Sequence, residues 1–195
     1  MGRQGVRVRA ALDVHRDLLA RGMPHEVIRL RTRIATADDL PRQLDVPAGC
    51  ASVRCYLAER AGGTAFAALV LPAGSVPDDD VVCRALLAVA VTPATDEQVN
   101  VATGFAAGLV SPVGLPEQVE VLVDAALTEH EVVYCALGES GVALGIRTVD
   151  LLVAASARTV PLTGLAALGR GGRTLSLRAS SSPSPQADGV VRTTR

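Results

Sequence analysis

The chain has 195 residues, 49% of them hydrophobic but only 2% aromatic, so it can bury one core of Val, Leu and Ala and is too short for two comfortable domains. A net charge of -1 argues against a generally basic nucleic-acid-binding surface and leaves any RNA contact to a local patch or a tail. There is no lysine at all, which excludes chemistry that needs a lysine amine; the bias toward Ala, Gly, Val and Arg is what a GC-rich genome tends to encode.

Residues 1–8 read as a flexible N-terminus. From about Arg9 to Arg21, Ala11, Val14, Leu18 and Leu19 share one face at helical spacing, with Gly22 as the C-cap. "PHEVIRL" alternates as a strand does, with Val27 facing inward, Glu26 facing outward and His25 at the strand end. Thr36 with Asp39 predicts a capped short helix through Gln43. "CASVRCYLAE" and "TAFAALVLP" predict the arms of a hairpin turning at "RAGG". The second arm is almost wholly apolar, as suits a central strand covered on both faces.

Asp78, Asp79 and Asp80 place negative charge at the start of a helix that carries Val81, Val82, Leu86 and Leu87. Thr95 with Gln98 marks a capping box that opens another short helix. "QVEVLVDAAL", "EVVYCAL" and "GVALGI" predict three further strands, and Thr148, Val149, Leu151, Leu152 and Ala155 begin a closing helix. Strands mixed with short helices, without regular βαβ alternation, indicate a single α/β (α+β) domain over residues 9–164, a mixed sheet with helices packed around it. Residues 165–195 are rich in Ser, Pro, Gly and Arg without periodicity and read as a disordered, net basic tail.

Cys50, Cys55, Cys83 and Cys135 form no C-x-x-C pair and lie apart from His15, His25 and His130 in the sequence, so neither a metal site nor a thiol–histidine nucleophile is expected. No cofactor is expected either. The first residues lack the apolar run of a signal peptide, and no stretch approaches ~18 uninterrupted apolar residues. The expectation is a cytoplasmic protein with reduced cysteines and no membrane partner.

The stretch that carries the functional reading is Ala102 to Gly114, ATGFAAGLVSPVG. Gly104, Gly108 and Gly114 permit backbone angles or approaches other residues resist, and Pro112 fixes its own φ and removes a donor. Thr103 and Ser111 supply short hydroxyls. Such a stretch either presents main-chain groups to a ligand or simply connects two sheet elements.

The sequence resembles the YbaK-type aminoacyl-tRNA deacylases, the family that includes the editing insertion of bacterial prolyl-tRNA synthetases. "TGF" followed by "GLVSPVG" is similar to that family's substrate loop, with Gly108 to Pro112 matching its G-x-x-x-P core. "PHEVIRL", "VLVDAAL" and "GESGVALGI" leading into "TVDLL" extend the resemblance from about Leu12 to about Leu162. It implies a mixed, mostly antiparallel sheet and a free-standing hydrolase that removes a mischarged small amino acid from tRNA, with tRNA(Pro) as acceptor. It also implies partnership with aminoacyl-tRNA and with a synthetase, and none with DNA.

By the same resemblance Gly108 contacts the aminoacyl group, and Thr103, Gly104, Phe105, Ser111, Pro112, Gly138 and Gly141 line its pocket, while His25 borders the cleft. The family lysine in V-[VIF]-K-T-L aligns with Arg54, and the following threonine with Cys55; a shift of one residue puts Cys55 at the lysine. Arg54 keeps the charge but cannot lose a proton near neutral pH, so only an electrostatic role survives. Ala136 and Ala143 stand where some members carry a serine and an aspartate, and Asp124 matches a recurrent acid whose simplest role is a turn contact. The alternative to a hydrolase is a relative that binds aminoacyl-tRNA with little or no turnover.

Overall fold

In the run Ala65–Leu71 the apolar side chains alternate to both faces, so the strand is stable only if both are covered. In the computed structural model, which describes residues 9–46 and 49–163, it is covered: Ala67, Ala68, Leu69, Val70 and Leu71 are completely buried. They belong to β3 (Gly63–Pro72), which is hairpin-paired with β2 (Cys50–Arg60) from Ala51↔Pro72 to Arg60↔Gly63 around the Ala61–Gly62 turn. On its other edge β3 runs parallel to β5 (Val119–Asp124), which in turn pairs in parallel with β8 (Arg158–Val160).

Beyond β2 lie β6 (Val132–Ala136), β7 (Val142–Arg147) and β1 (His25–Arg29), giving the order β1-β7-β6-β2-β3-β5-β8, while β4 (Ala90–Pro93) pairs antiparallel with β2. Among the described residues, five helices pack on this eight-stranded mixed sheet: α1 (Ala11–Ala20), α2 (Leu40–Leu44), α3 (Asp79–Leu86), α4 (Asp96–Thr103) and α5 (Thr148–Ala154). One core cluster joins Val14 and Leu18 of α1 and Leu151 of α5 to Val70, Val121, Val123 and the loop residues Phe105, Val110 and Val113. A second joins Val82 and Leu86 of α3 to Tyr56, Leu69, Leu71 and Leu122. No helix among the described residues is long and apolar enough to cross a membrane.

Of the two capped helix starts expected, one forms, and the acidic run expected only to place charge at a helix start also supplies a cap. Asp78 accepts from the Asp80 and Val81 amides, and Thr95 and Gln98 exchange both bonds of a capping box at 2.8 and 3.3 Å. Thr36 makes no side-chain cap bond; a 3-10 helix at Ala37–Asp39 intervenes before α2.

Two inward assignments fail, and one residue expected within a helix ends it. Leu19 is 59% exposed because α1 buries only Val14 and Leu18. Val27 is 43% exposed on an edge strand whose sole partner is β7. Leu87 is the left-handed C-cap residue that turns the chain out of α3. Strands β4 and β8 were not foreseen, and the expectations for residues 1–8 and 165–195 lie outside the described residues.

Candidate active site

The second edge of β2 is shared and incomplete. β6 pairs with it only at Cys50↔Tyr134 and Ala51↔Cys135, and β4 takes over from Tyr56↔Pro93. Between these pairings Ser52, Val53, Arg54 and Cys55 have no strand neighbour on that side. Backbone groups of successive residues alternate between the two edges of a strand. The Cys55 carbonyl accepts from Ala94 N–H at 2.9 Å across this edge, so Val53 also turns its N–H and C=O toward the break.

The glycine stretch after α4 and the 3-10 helix at Ala37–Asp39 meet the break and leave a cavity of about 270 Å³. Arg54, Asp38, Thr36, Ser52, Tyr56 and Asp96 line it with polar groups; Val53, Cys55, Ala94, Val99 and Val110 give it apolar surface; Ala107 and Gly108 border it from the loop.

Two of the predicted site residues meet here, through the 3-10 helix. Gly108 has φ +80°, and its carbonyl accepts from Ala37 N–H at 2.9 Å. A Cβ at this position would stand 3.0 Å from the Ala35 carbonyl oxygen, so glycine is needed for the close approach as well as the backbone angle. The next residue of the helix, Asp38, holds Arg54: its Oδ2 accepts from Arg54 Nη2 at 3.1 Å, and its Oδ1 accepts from Gly74 N–H at 2.7 Å. Arg54 Nε donates to the Ser75 carbonyl at 3.1 Å, so the half-exposed guanidinium is oriented from two directions.

The other predicted residues lie away from this cavity. Thr103 is fully buried; its Oγ1 donates to the Val99 carbonyl at 2.7 Å and accepts from Phe105 N–H at 3.0 Å. Gly104 is the left-handed C-cap of α4, and Phe105 is a core side chain. Ser111 Oγ accepts from Val113 N–H at 3.2 Å, inside the protein. Pro112 borders a separate cavity of about 700 Å³ together with Arg21, Glu120 and Arg158. Gly138, at φ +84°, packs so closely that a Cβ would lie 2.8 Å from Phe105 Cδ1. Gly141 borders a surface depression beside Arg31 and Arg33. His25 bonds to the Met23 carbonyl and to His15 of α1, each at 2.8 Å. Asp124 is a turn residue: it accepts from Ala126 N–H at 2.8 Å and from Thr163 N–H at 2.7 Å.

Burial pushes the Cys55 thiol up to about 12, so near neutral pH the cavity presents a thiol rather than a thiolate nucleophile. The Tyr56 hydroxyl is also raised, by burial and by Asp79, against the opposing charge of Arg54. Among the described residues no group of three or more His, Cys, Asp and Glu is arranged to hold a metal ion. Asp38, Ser52, Tyr56 and Asp96 were missed from sequence. Ser52 and Tyr56 could have been found by stepping two residues either way from Arg54 along the strand.

The fold is shared with several solved structures. It superposes with a TM-score of 0.68 on a candidate trans-editing enzyme for prolyl-tRNA synthetase, at 22% identity, over 79% of this chain and 96% of that one. A computationally designed epitope-presenting scaffold gives 0.67 at 22% identity, over 79% and 96%. A hypothetical protein gives 0.65 at 23%, over 75% and 97%. Residues 31–154 match the family model of the aminoacyl-tRNA editing domain, so the chain belongs to that YbaK-type family. No curated protein matches the chain significantly.

Proposed function

We propose that this protein hydrolyses the ester linking a mischarged small amino acid to tRNA, with tRNA(Pro) as the acceptor. The observation that carries the reading is that Gly108 and Arg54 border one cavity, at the size of a small aminoacyl group. An aminoacyl ester is already activated, so the protein's task is to hold the carbonyl, stabilise the developing oxyanion and admit water. Main-chain N–H groups of the loop around Gly108 are assigned the oxyanion contact, a contribution typically worth on the order of 10²–10³ in rate.

Arg54 is assigned a fixed positive charge toward the terminal phosphate or the ester oxygens, through its planar fork. A guanidinium does not give up its proton near neutral pH, so the water is not activated by this side chain. Thr103, Gly104, Phe105, Ser111, Pro112, Gly138 and Gly141 enter the reading as the frame that sets the loop, with direct substrate contact assigned to Gly108. A synthetase that supplies the mischarged tRNA is the partner this reading calls for.

One observation favours a second reading, binding without turnover. Both described bonds of Arg54 go to Asp38 and Ser75, inside the protein. The test is to incubate the full chain with tRNA(Pro) charged with alanine, serine, cysteine or proline and to follow ester loss. Turnover that Arg54→Ala abolishes supports the hydrolase. Retention of charged tRNA without ester loss supports the binder, and indifference to every charged tRNA rejects both.

A further inference from the structure

Among the described residues, Arg21, Arg42, Arg54, Arg60, Arg147 and Arg158 each stand within ion-pair distance of a carboxylate. Arg29, Arg31 and Arg33 do not. All three are exposed, and none has a hydrogen bond or ion pair among the described residues. They line one surface depression of about 340 Å³, together with Thr32 and Gly141 and with no carboxylate. The cavity of about 700 Å³, by contrast, sets Glu117 and Glu120 beside Arg21 and Arg158. Three uncompensated cations around one hollow, in a chain whose net charge is -1, make this a place for an anion.

The segment that carries them is fixed. Arg29 ends β1, paired with Val142 of β7. Leu30 N–H donates to the Gly141 carbonyl at 3.0 Å and Ile34 N–H to the Ser140 carbonyl at 2.9 Å, so two successive carbonyls hold the chain on either side of Arg31 and Arg33. Between them Thr32 N–H donates to Gln43 Oε1 of α2 at 3.2 Å. Backbone held in this way presents its side chains with little further ordering on binding. The segment then runs into the candidate active site. Thr36, three residues after Arg33, lines the cavity of Arg54 and Gly108, and three residues of chain span at most about 11 Å.

We propose that Arg29, Arg31 and Arg33 bind backbone phosphates of the single-stranded 3′ end of the tRNA, holding the strand that leads to the ester. This rests on the deacylase reading above and adds where the RNA lies. The group recognised is phosphate, which a guanidinium fork meets with two parallel hydrogen bonds. A free phosphate is one such group; a strand ending at the ester carries several in a row, as the arginines do at alternate positions.

The experiment measures binding of uncharged tRNA(Pro) to the full chain by fluorescence anisotropy across a salt series, with inorganic phosphate binding measured alongside by calorimetry. The variants are Arg29→Gln, Arg31→Gln, Arg33→Gln and the triple substitution. Arg84→Gln removes the same charge from an exposed position on α3. Each single variant is expected to weaken binding about fivefold at about 0.1 M salt and to flatten the slope of log K against log salt by about 0.7. The triple variant should lose about a hundredfold, with Arg84→Gln within about twofold and circular dichroism unchanged. On charged tRNA it should raise KM and leave kcat. If the triple variant does not fold, the three single variants carry the test. Unchanged affinity, an equal loss with Arg84→Gln, a loss confined to inorganic phosphate, or no tRNA binding by the unmodified chain overturns the assignment. Ester hydrolysis with a KM indifferent to these arginines overturns it while the deacylase reading stands. Binding that the arginines control, without ester loss, overturns the deacylase and keeps the surface.

Discussion

The two walls of the cavity are built by opposite means. On the loop side, Thr103, Phe105 and Ser111 turn into the protein and what borders the void is Ala107, Gly108 and Val110. On the strand side, the backbone of β2 is pinned to β3 along its length, and Arg54 and Tyr56 supply the chemistry. A wall made of backbone tolerates no added atoms but is indifferent to most neighbouring side chains. A wall made of side chains keeps its shape under substitution and changes its chemistry.

That contrast can be broken or sharpened by substitution. The largest effect is expected from Gly108→Ala, whose methyl meets the Ala35 carbonyl at 3.0 Å in a left-handed backbone; ester hydrolysis should fall by roughly 10²–10³, measured by single-turnover deacylation. Gly138→Ala tests whether the loop is held from beneath. Its Cβ would lie 2.8 Å from Phe105, and overpacking of this kind should cost about 1–3 kcal/mol in urea unfolding.

On the strand wall, Asp38→Asn keeps the shape but removes the charge that orients Arg54, and kcat should drop roughly threefold to tenfold with the fold intact by circular dichroism. Ser52→Ala removes an unsatisfied buried hydroxyl and should leave stability unchanged or raise it by up to about 1 kcal/mol.

A pH titration reads the strand more broadly. Burial raises the thiol of Cys50 to about 11 and those of Cys55 and Cys135 to about 12, the last with a further push from Cys50. An unfolded thiol ionises near about 8.5. Because these groups bind protons more tightly when folded, their contribution is complete below that value and is lost as pH rises from about 8.5 toward 12. Unfolding midpoints should therefore decline on the alkaline side, and Cys135→Ala should flatten the decline. The acid side has its own marker outside the lining of the cavity. Burial alone would raise the Glu120 carboxyl, but its hydrogen bonds with Arg60 and Arg158, together with their charges, outweigh that and hold it low.

Much of the frame could be read in the residues. The β2–β3 hairpin, the Thr95 capping box and the helix that starts at the acidic run Asp78–Asp80 are local: each depends on groups within a few positions, and each formed as read. What escaped was whatever needs a distant partner. β8 is three residues long and β4 four, ending in Pro93, too short for a period to show. Val27 fits an inward phase in the sequence, yet nothing local says that β1 sits at an edge.

The site divides the same way. The resemblance singled out Arg54 and Gly108, and they border one void, but glycine and hydroxyl content could not say which loop residues face it. Thr103 and Ser111 look like ligand groups in sequence and act as internal bonds.

The handover on the edge of β2 also bears on when the site comes into being. Its two flanks are supplied by segments synthesised far apart, β4 soon after β2 and β6 only much later, with the parallel Cys50↔Tyr134 pairing closing a long loop. Pairings of that span are slow steps in folding. A nascent chain with β4 docked and β6 still absent lacks one side of this break, so the edge of β2 that meets the glycine loop takes its final form only when the last strands have docked.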